Sequence, residues 1–434
     1  MGTSASTHDR VHPPLRSGVP DATWTVDVLG NLDGLARDWD DLVDRCATAT
    51  PFQRHGWLSA WWRHYGPEGA QRVICVRRGG VLVAGAAVFV ERRAGMRVLA
   101  PVGRGLSDIT EFPVDDLHRP AALHRLAGAL LALPGWQLLD LPEVREGSAA
   151  ESLSRSWRHR VAVTDASVSI EVPFRSVSEL LTGPGTKSLR RRVRSAEQSG
   201  ITCATADDDL PTAVDVLIEL HRRQWEGRNG NPEHFSPRFR GLLLDALVEL
   251  ARCGAARLEC YRLEGEVVAA ELLLVGSRSL YTYFIGFTPS LREKVDVTAL
   301  TLRRSLDIVE RHGLATVDLL RGDEPYKRRW RTVEVHQHRH LLCRPGSVRQ
   351  TAFVAAVRSR AALRRRLIDR HPQVHAALGD AVRRWRSDGP VGLVRAGTAA
   401  VGASLTRRTS ALRARCRGRT STATTASRPA PPPG

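Results

Sequence analysis

Glu271 lies in the run Val267-Val-Ala-Ala-Glu-Leu-Leu-Leu-Val275. A carboxylate in so apolar a strand costs free energy unless it is paired or used. Burial favours the neutral acid, which raises its proton affinity toward that of a general base for an amine. Ten residues on, Tyr281 and Tyr283 alternate with Thr282 and Phe284, which puts both phenols on one face of a strand. A phenol there can protonate a leaving thiolate, and Tyr281 and Tyr283 are both open to that role. A second stretch follows, Val317-Asp318-Leu-Leu-Arg-Gly-Asp-Glu-Pro-Tyr326-Lys327-Arg-Arg-Trp330. An apolar strand runs into a turn holding Asp323 and Glu324, and a strand end is where a rigid scaffold presents reactive groups. Lysine occurs only at 187, 294 and 327, against 61 arginines. A compact ammonium suits a phosphate or a polarised carbonyl oxygen, so Lys327 is the third candidate.

Two further groups carry weaker signals. Lys187-Ser-Leu-Arg-Arg-Arg-Val-Arg194 reads as a basic helix that either clamps a phosphate or is solvated. Glu334, His336, His338 and His340 alternate along one strand, but adjacent strand residues splay too widely for a tight metal site, and none is expected.

The stretch from Lys187 to Trp330 resembles the acetyltransferase domain of CelD-type proteins, called BioF2-like, in the GNAT superfamily. It is related to the Fem-type aminoacyl transferases. The resemblance rests on Lys187-Ser-Leu-Arg-Arg-Arg with Gly200, on Tyr283 to Phe287, on His312-Gly313 and on Asp318 to Trp330. Upstream, Pro51-Phe-Gln-Arg-His-Gly-Trp-Leu-Ser-Ala-Trp-Trp-Arg-His-Tyr-Gly66 and Gly103 to Asp108 are similar to the N-terminal half of the same proteins. The resemblance implies that Lys327 helps hold the anionic part of a substrate, with Lys187, Arg191, Asp323, Tyr326 and Trp330 as further substrate contacts. It implies acetyl-CoA or another acyl-CoA as donor, bound where Val297 and Thr298 open a helix. Relatives hold the pyrophosphate there on the backbone N–H groups of a Gly-rich turn. This chain reads Lys294-Val-Asp-Val-Thr298 instead, and Asp296 as N-cap would occupy the anion site.

The repeat within the chain points the same way. Ile74 to Phe89 aligns without a gap on Glu259 to Leu274 at an offset of 185, with Cys75/Cys260, Arg77/Arg262, Gly80/Gly265, Val83/Val268 and Ala84/Ala269 coinciding. Each copy reads as strand, tight turn, strand. Ala86 stands where the second copy has Glu271, which places the active site in the second half. The fold class expected is α/β, a tandem pair of GNAT-like folds with mixed sheets. The boundaries expected are a disordered start at 1–23, lobes at 24–165 and 166–344, and an Arg-rich tail at 345–434, disordered from about 421.

The net charge of +18 sits mostly in that tail, which carries 18 Arg against Asp369, Asp380 and Asp388 and leaves +3 for the first 344 residues. Such a tail makes weak contact with anionic membrane or nucleic acid, or is a solvated consequence of biased composition. No apolar run reaches the ~18 residues of a membrane span. The seven cysteines form no CxxC pair, and the expected location is the cytoplasm. The expected activity is acyl transfer from acyl-CoA to an amine or hydroxyl on a small molecule or sugar nucleotide in envelope or exopolysaccharide synthesis. The alternatives are a Fem-like transferase using aminoacyl-tRNA and a non-catalytic scaffold acting through the tail.

Overall fold

Valine, leucine and alanine fill the hairpins, and the strands they form hydrogen-bond into a single 12-stranded sheet. The computed structural model describes residues 23–370 apart from 183, 184, 207, 208, 228, 229, 323, 346 and 347. The expected disordered start (1–23, all but its last residue), most of the tail with its disordered end, and Asp323 therefore lie outside the described residues. The strands are β1 (Trp24–Leu29), β2 (Gln71–Arg78), β3 (Val81–Arg93), β4 (Met96–Pro101), β5 (Leu138–Arg145) and β6 (Val161–Pro173), then β7 (Thr202–Thr205), β8 (Ala256–Leu263), β9 (Glu266–Val275), β10 (Ser279–Phe287), β11 (Thr316–Arg321) and β12 (Val333–Cys343). The helices are α1 (Ala36–Asp44), α2 (His55–Tyr65), α3 (Arg119–Ala132), α4 (Ala149–Arg155), α5 (Val177–Leu181), α6 (Lys187–Glu197), α7 (Leu210–Trp225), α8 (Pro237–Arg252), α9 (Leu291–Lys294), α10 (Val297–His312) and α11 (Val348–Arg370). Among the described residues, one compact unit runs up to Gln224 and over Pro232–Val354, and a second contains Trp225–Asn231 and residues 355–370.

The sheet order is β1-β2-β3-β4-β5-β12-β6-β11-β10-β9-β8-β7, which is symmetric about its centre. Each half runs strand, two helices, three antiparallel strands, helix, parallel strand, and the repeated segments are the hairpins β2–β3 and β8–β9. The sixth strand of each half is exchanged. β6 follows β5 in sequence but pairs with β11, and β12 follows β11 but pairs with β5. The boundary expected at 165/166 falls inside β6, where the sheet continues without a break. The two lobes also share a core, since α1 and α2 pack into one apolar cluster with α7 and α8.

The symmetry extends to charge. Asp140 on β5 comes just after the parallel pairing to β4, Asp318 on β11 is the last residue in the parallel pairing to β10, and both are fully buried. Each is matched by an arginine from the other half of the chain. Arg339 on β12 meets Asp140 at 2.7 Å, and Arg145 on β5 meets Asp318 at 2.8 Å. Beyond each aspartate the strand kinks at a non-glycine residue with positive φ, Glu143 and Leu320, both at 54°.

Helix α7 lies unusually close to β10 at Gly286. A Cβ there would come within 2.3 Å of the His221 backbone nitrogen and 2.6 Å of the Leu217 carbonyl. Backbone cannot yield as a side-chain end can. Gly286→Ala should therefore cost about 1–3 kcal/mol or more in urea denaturation, whereas Gly265→Ala, at positive φ in an open turn, tests backbone strain alone.

Candidate active site

Strands β10 and β11 pair only over Ser279–Tyr281 and Thr316–Asp318, then diverge. The gap opens on a cavity of about 650 Å³, a size typical of small-molecule sites. Its walls come from β9, β10, β11, the start of α10, α6, α7 and the turn after β11. A bulge in β10 falls at Tyr283, between the pairs Thr282–Leu273 and Phe284–Leu272.

Glu271 reaches this cavity from the middle of β9 and is 3% exposed. Its cross-strand neighbour is a second buried acid, Glu259 on β8. Glu259 is held ionised by Arg304 of α10 at 2.9 and 2.7 Å and by Arg257 at 2.9 Å, and Thr205 donates to it at 2.9 Å. Those partners hold Glu259 below the usual carboxylate range despite its burial. Among the described residues Glu271 has only the Tyr261 hydroxyl, at 3.4 Å. Burial, then the charge on Glu259, push it up to about 8. Two neighbouring acids are thus driven apart, one fixed as an anion and one poised to accept and release a proton near neutrality. In the first lobe the same register pair is Ile74 and Ala86, both packed in a core with Phe112, Val114 and Leu126.

Tyr283 also lines the cavity, but its hydroxyl donates to the Leu106 carbonyl at 3.0 Å. Its ring packs edge-on against Phe52 and Trp57 at 5.6 and 5.2 Å. Leu106 belongs to the Gly103–Asp108 stretch of the first lobe, whose Asp108 binds Arg321 on β11. This loop leaves β4 just after Val102, whose N–H bonds Ala87, and the chain rejoins β3 where Gly85 donates to Pro113. The position matches the bulge at Tyr283 in the second lobe. Tyr281 is buried in the shared core.

Tyr326 lines the same cavity. Its phenol is pushed up to about 12 by burial, then by the carboxylates of Glu324 and Glu271, and makes no hydrogen bond among the described residues. Lys327 is buried there, but its ammonium is already engaged. It donates to the Arg321 carbonyl at 2.8 Å and the Gly322 carbonyl at 3.4 Å and pairs with Glu324 at 3.1 Å. Lys327 thus lines the cavity, as expected of a substrate contact, while its ammonium also closes the strand-end turn. Trp330, expected to touch substrate, is 2% exposed within the core beside α10.

Helix α6 is amphipathic, and its register decides which basic residue serves the cavity. Leu189, Val193 and Ala196 are buried, so Lys187 and Arg191 face solvent and Arg192 lines the cavity. Lys187 and Arg191, expected as substrate contacts, are not among the described residues that line it. Sequence reading passed over Arg192, Arg292, Arg329 and Gln224. The burial pattern of α6 was the signal available for Arg192, while the others are brought in by tertiary contacts alone. Gln224 contributes a side-chain oxygen that is buried and unpaired among the described residues.

Val297 and Thr298 line the cavity at the start of α10. Asp296 is the N-cap, accepting the Ala299 N–H at 3.2 Å, and Arg192 and Arg329 pair with it. Glu334 and His336 are exposed, while His340 is buried against Ser154 at 2.7 Å and pushed down to about 4 by desolvation. Among the described residues no group of three or more His, Cys, Asp or Glu side chains is placed to hold a metal ion. Among them too, no helix is long and apolar enough to cross a membrane.

Residues 185–328 match the family described as the acetyltransferase (GNAT) domain. A search of curated proteins finds no match. Among solved structures, FemX is similar at 14% identity, covering 72% of this chain and 96% of its own, with a TM-score of 0.53. A conserved protein of unknown function from Bacteroides thetaiotaomicron is similar at 12% identity, covering 74% of this chain and 100% of its own, with a TM-score of 0.50. The expected fold class, a tandem GNAT-like α/β protein, is the one found.

Proposed function

We propose that the chain transfers an acyl group from acyl-CoA to an amine or hydroxyl acceptor, and that the reaction takes place in the second-lobe cavity. The observation that carries this is Glu271, a buried carboxyl with its affinity near 8, opening onto the gap between β10 and β11. As the acceptor nitrogen or oxygen attacks the acyl carbon, Glu271 takes its proton, directly or through a water, and the thioester's C–S bond breaks. The unpaired oxygen of Gln224 suits a second N–H or O–H of the acceptor. Tyr326, whose hydroxyl is uncommitted among the described residues, is better placed than Tyr283 to protonate the leaving group. Tyr283 instead ties the site to the loop of the first lobe. An acceptor on a sugar nucleotide or envelope precursor is the substrate class this reading favours.

A second reading has one observation in its favour. The α10 N-terminus, where a coenzyme A pyrophosphate would meet backbone N–H groups, is capped by Asp296, and an aminoacyl-tRNA donor has no such pyrophosphate to place there. The test is thiol release from acetyl-CoA with amino sugars and their nucleotide derivatives as acceptors. Acceptor-dependent release that Glu271→Gln abolishes supports the first reading. No release, with transfer from aminoacyl-tRNA to the same acceptors, moves the reaction to the second. No transfer from either donor overturns both.

A further inference from the structure

Every arginine on α1, α2, α4, α7 and α8 pairs with a carboxylate, as Arg155 does with Glu151 and Arg223 with Glu219, each four residues back at 2.8 Å. Helix α6 departs from this pattern. Lys187, Arg190, Arg191 and Arg194 are exposed and make no ion pair among the described residues. The one acid on the helix, Glu197, is taken by Arg303 of α10 at 3.1 Å. Positions i, i+3, i+4 and i+7 share a helix face, so the four cations form a single stripe turned away from buried Leu189, Val193 and Ala196. The arrangement costs stability in two ways. Like charges three and four residues apart repel, and Lys187 and Arg190 in the first turn oppose the helix macrodipole. A stripe that is kept at a cost and left unpaired is complementary to an anionic partner outside the chain.

The form of the stripe selects the partner. A helix face is convex and presents its cations in a line, which suits the charged plane of a bilayer, where each Lys or Arg near the surface adds attraction without demanding a fixed geometry. Single-stranded nucleic acid is held instead in a basic groove with aromatic side chains for its bases, and α6 has no aromatic residue. An apolar neighbour agrees with a bilayer. Arg331 donates to the Thr182 carbonyl at 2.9 Å, which brings the start of β12 toward the segment that leads into α6, and Val333 there is 46% exposed. We propose that the exposed face of α6 docks the protein on an anionic phospholipid bilayer through Lys187, Arg190, Arg191 and Arg194. Arg192, next to Arg191 in sequence, lines the cavity, so docking sets that wall of the cavity beside the headgroups. The surface lies outside the cavity and stands whether or not acyl transfer is the reaction.

The test is co-sedimentation of the full chain with vesicles of phosphatidylcholine, with and without phosphatidylglycerol. Binding should require phosphatidylglycerol and weaken as salt is added. Replacing the stripe, with Lys187→Gln, Arg190→Gln, Arg191→Gln and Arg194→Gln combined, should weaken it about tenfold or more. The sequence after Pro345 carries cations of its own, so a matched variant with Arg407→Gln, Arg408→Gln, Arg413→Gln and Arg415→Gln serves as the comparison and should lose less. Glutamine forms helix about as well as arginine, and the repulsion is relieved, so the α6 variant should need at least as much urea to unfold as the parent. Unfolding at lower urea would show that these cations hold the fold, and would overturn the inference. So would vesicle binding that is absent, or that falls with the matched variant and not with the α6 variant. Weaker binding of a short duplex RNA by the α6 variant, with vesicle binding unchanged, would assign the face to nucleic acid instead.

Discussion

Glu271→Gln should lower acyl transfer by about 10²–10⁴-fold, the range a positioned general base contributes, with the fold intact. In the parent the rate should climb with pH and level off above about 8, because only the ionised carboxylate accepts a proton. Glu259→Gln should move that rise to lower pH, since it removes the buried anion that disfavours ionisation of Glu271. Stability provides a readout that needs no substrate. The folded protein holds this proton up to about 8, whereas a free glutamate releases it near 4.5. The unfolded chain thus binds fewer protons across that window, and stability falls as pH rises through it. Glu271→Gln abolishes that dependence. Its stability relative to the parent should grow by a few kcal/mol between pH 5 and pH 8.5, measured by urea denaturation at each pH. Parallel curves for the two proteins would show that Glu271 is not held protonated by its surroundings.

Arg145→Met should be the most destabilising single change at the centre of the sheet, costing about 3–5 kcal/mol. It leaves Asp318 buried without its cation and Glu171 without its partner at 3.0 Å. Burial already pushes both acids upward, so the loss should be worst at high pH, where neither can escape by taking a proton. Because Arg145 and Asp318 come from opposite halves of the chain, the cost falls on the association of the lobes. Arg145→Met combined with Asp318→Asn should recover much of the loss, since a buried amide needs no counter-charge. A double variant as unstable as the single one would mean that the pair matters for packing rather than charge.

Much of the framework was legible in the chain. The repeat at offset 185 marked the two hairpins. A carboxylate among eight apolar residues announced Glu271, because a strand buried on both faces leaves an acid nowhere to go. Asp296 as the cap of α10 was equally readable, since capping is a local matter between a side chain and the next turn. Other features were out of reach. Lys327 was marked out by its rarity, but the three acceptors on its own turn and the strand end that hold its ammonium could not be read from the chain. Trp330 looked like part of a site motif and is a core residue.

The sequence by itself determined the repeated α/β pattern, the asymmetry that keeps an acid in one half, and the local caps and turns, since all of these follow from periodicity and short-range geometry. The tertiary structure alone decided the exchange of β6 and β12, because register across a sheet depends on strands far apart in sequence. It also decided that Arg192 rather than Arg191 meets the cavity, since a helix rotates to bury its apolar stripe and its polar residues follow. Above all it set Glu259 beside Glu271, and their opposite fates depend on the arginines that reach one and not the other.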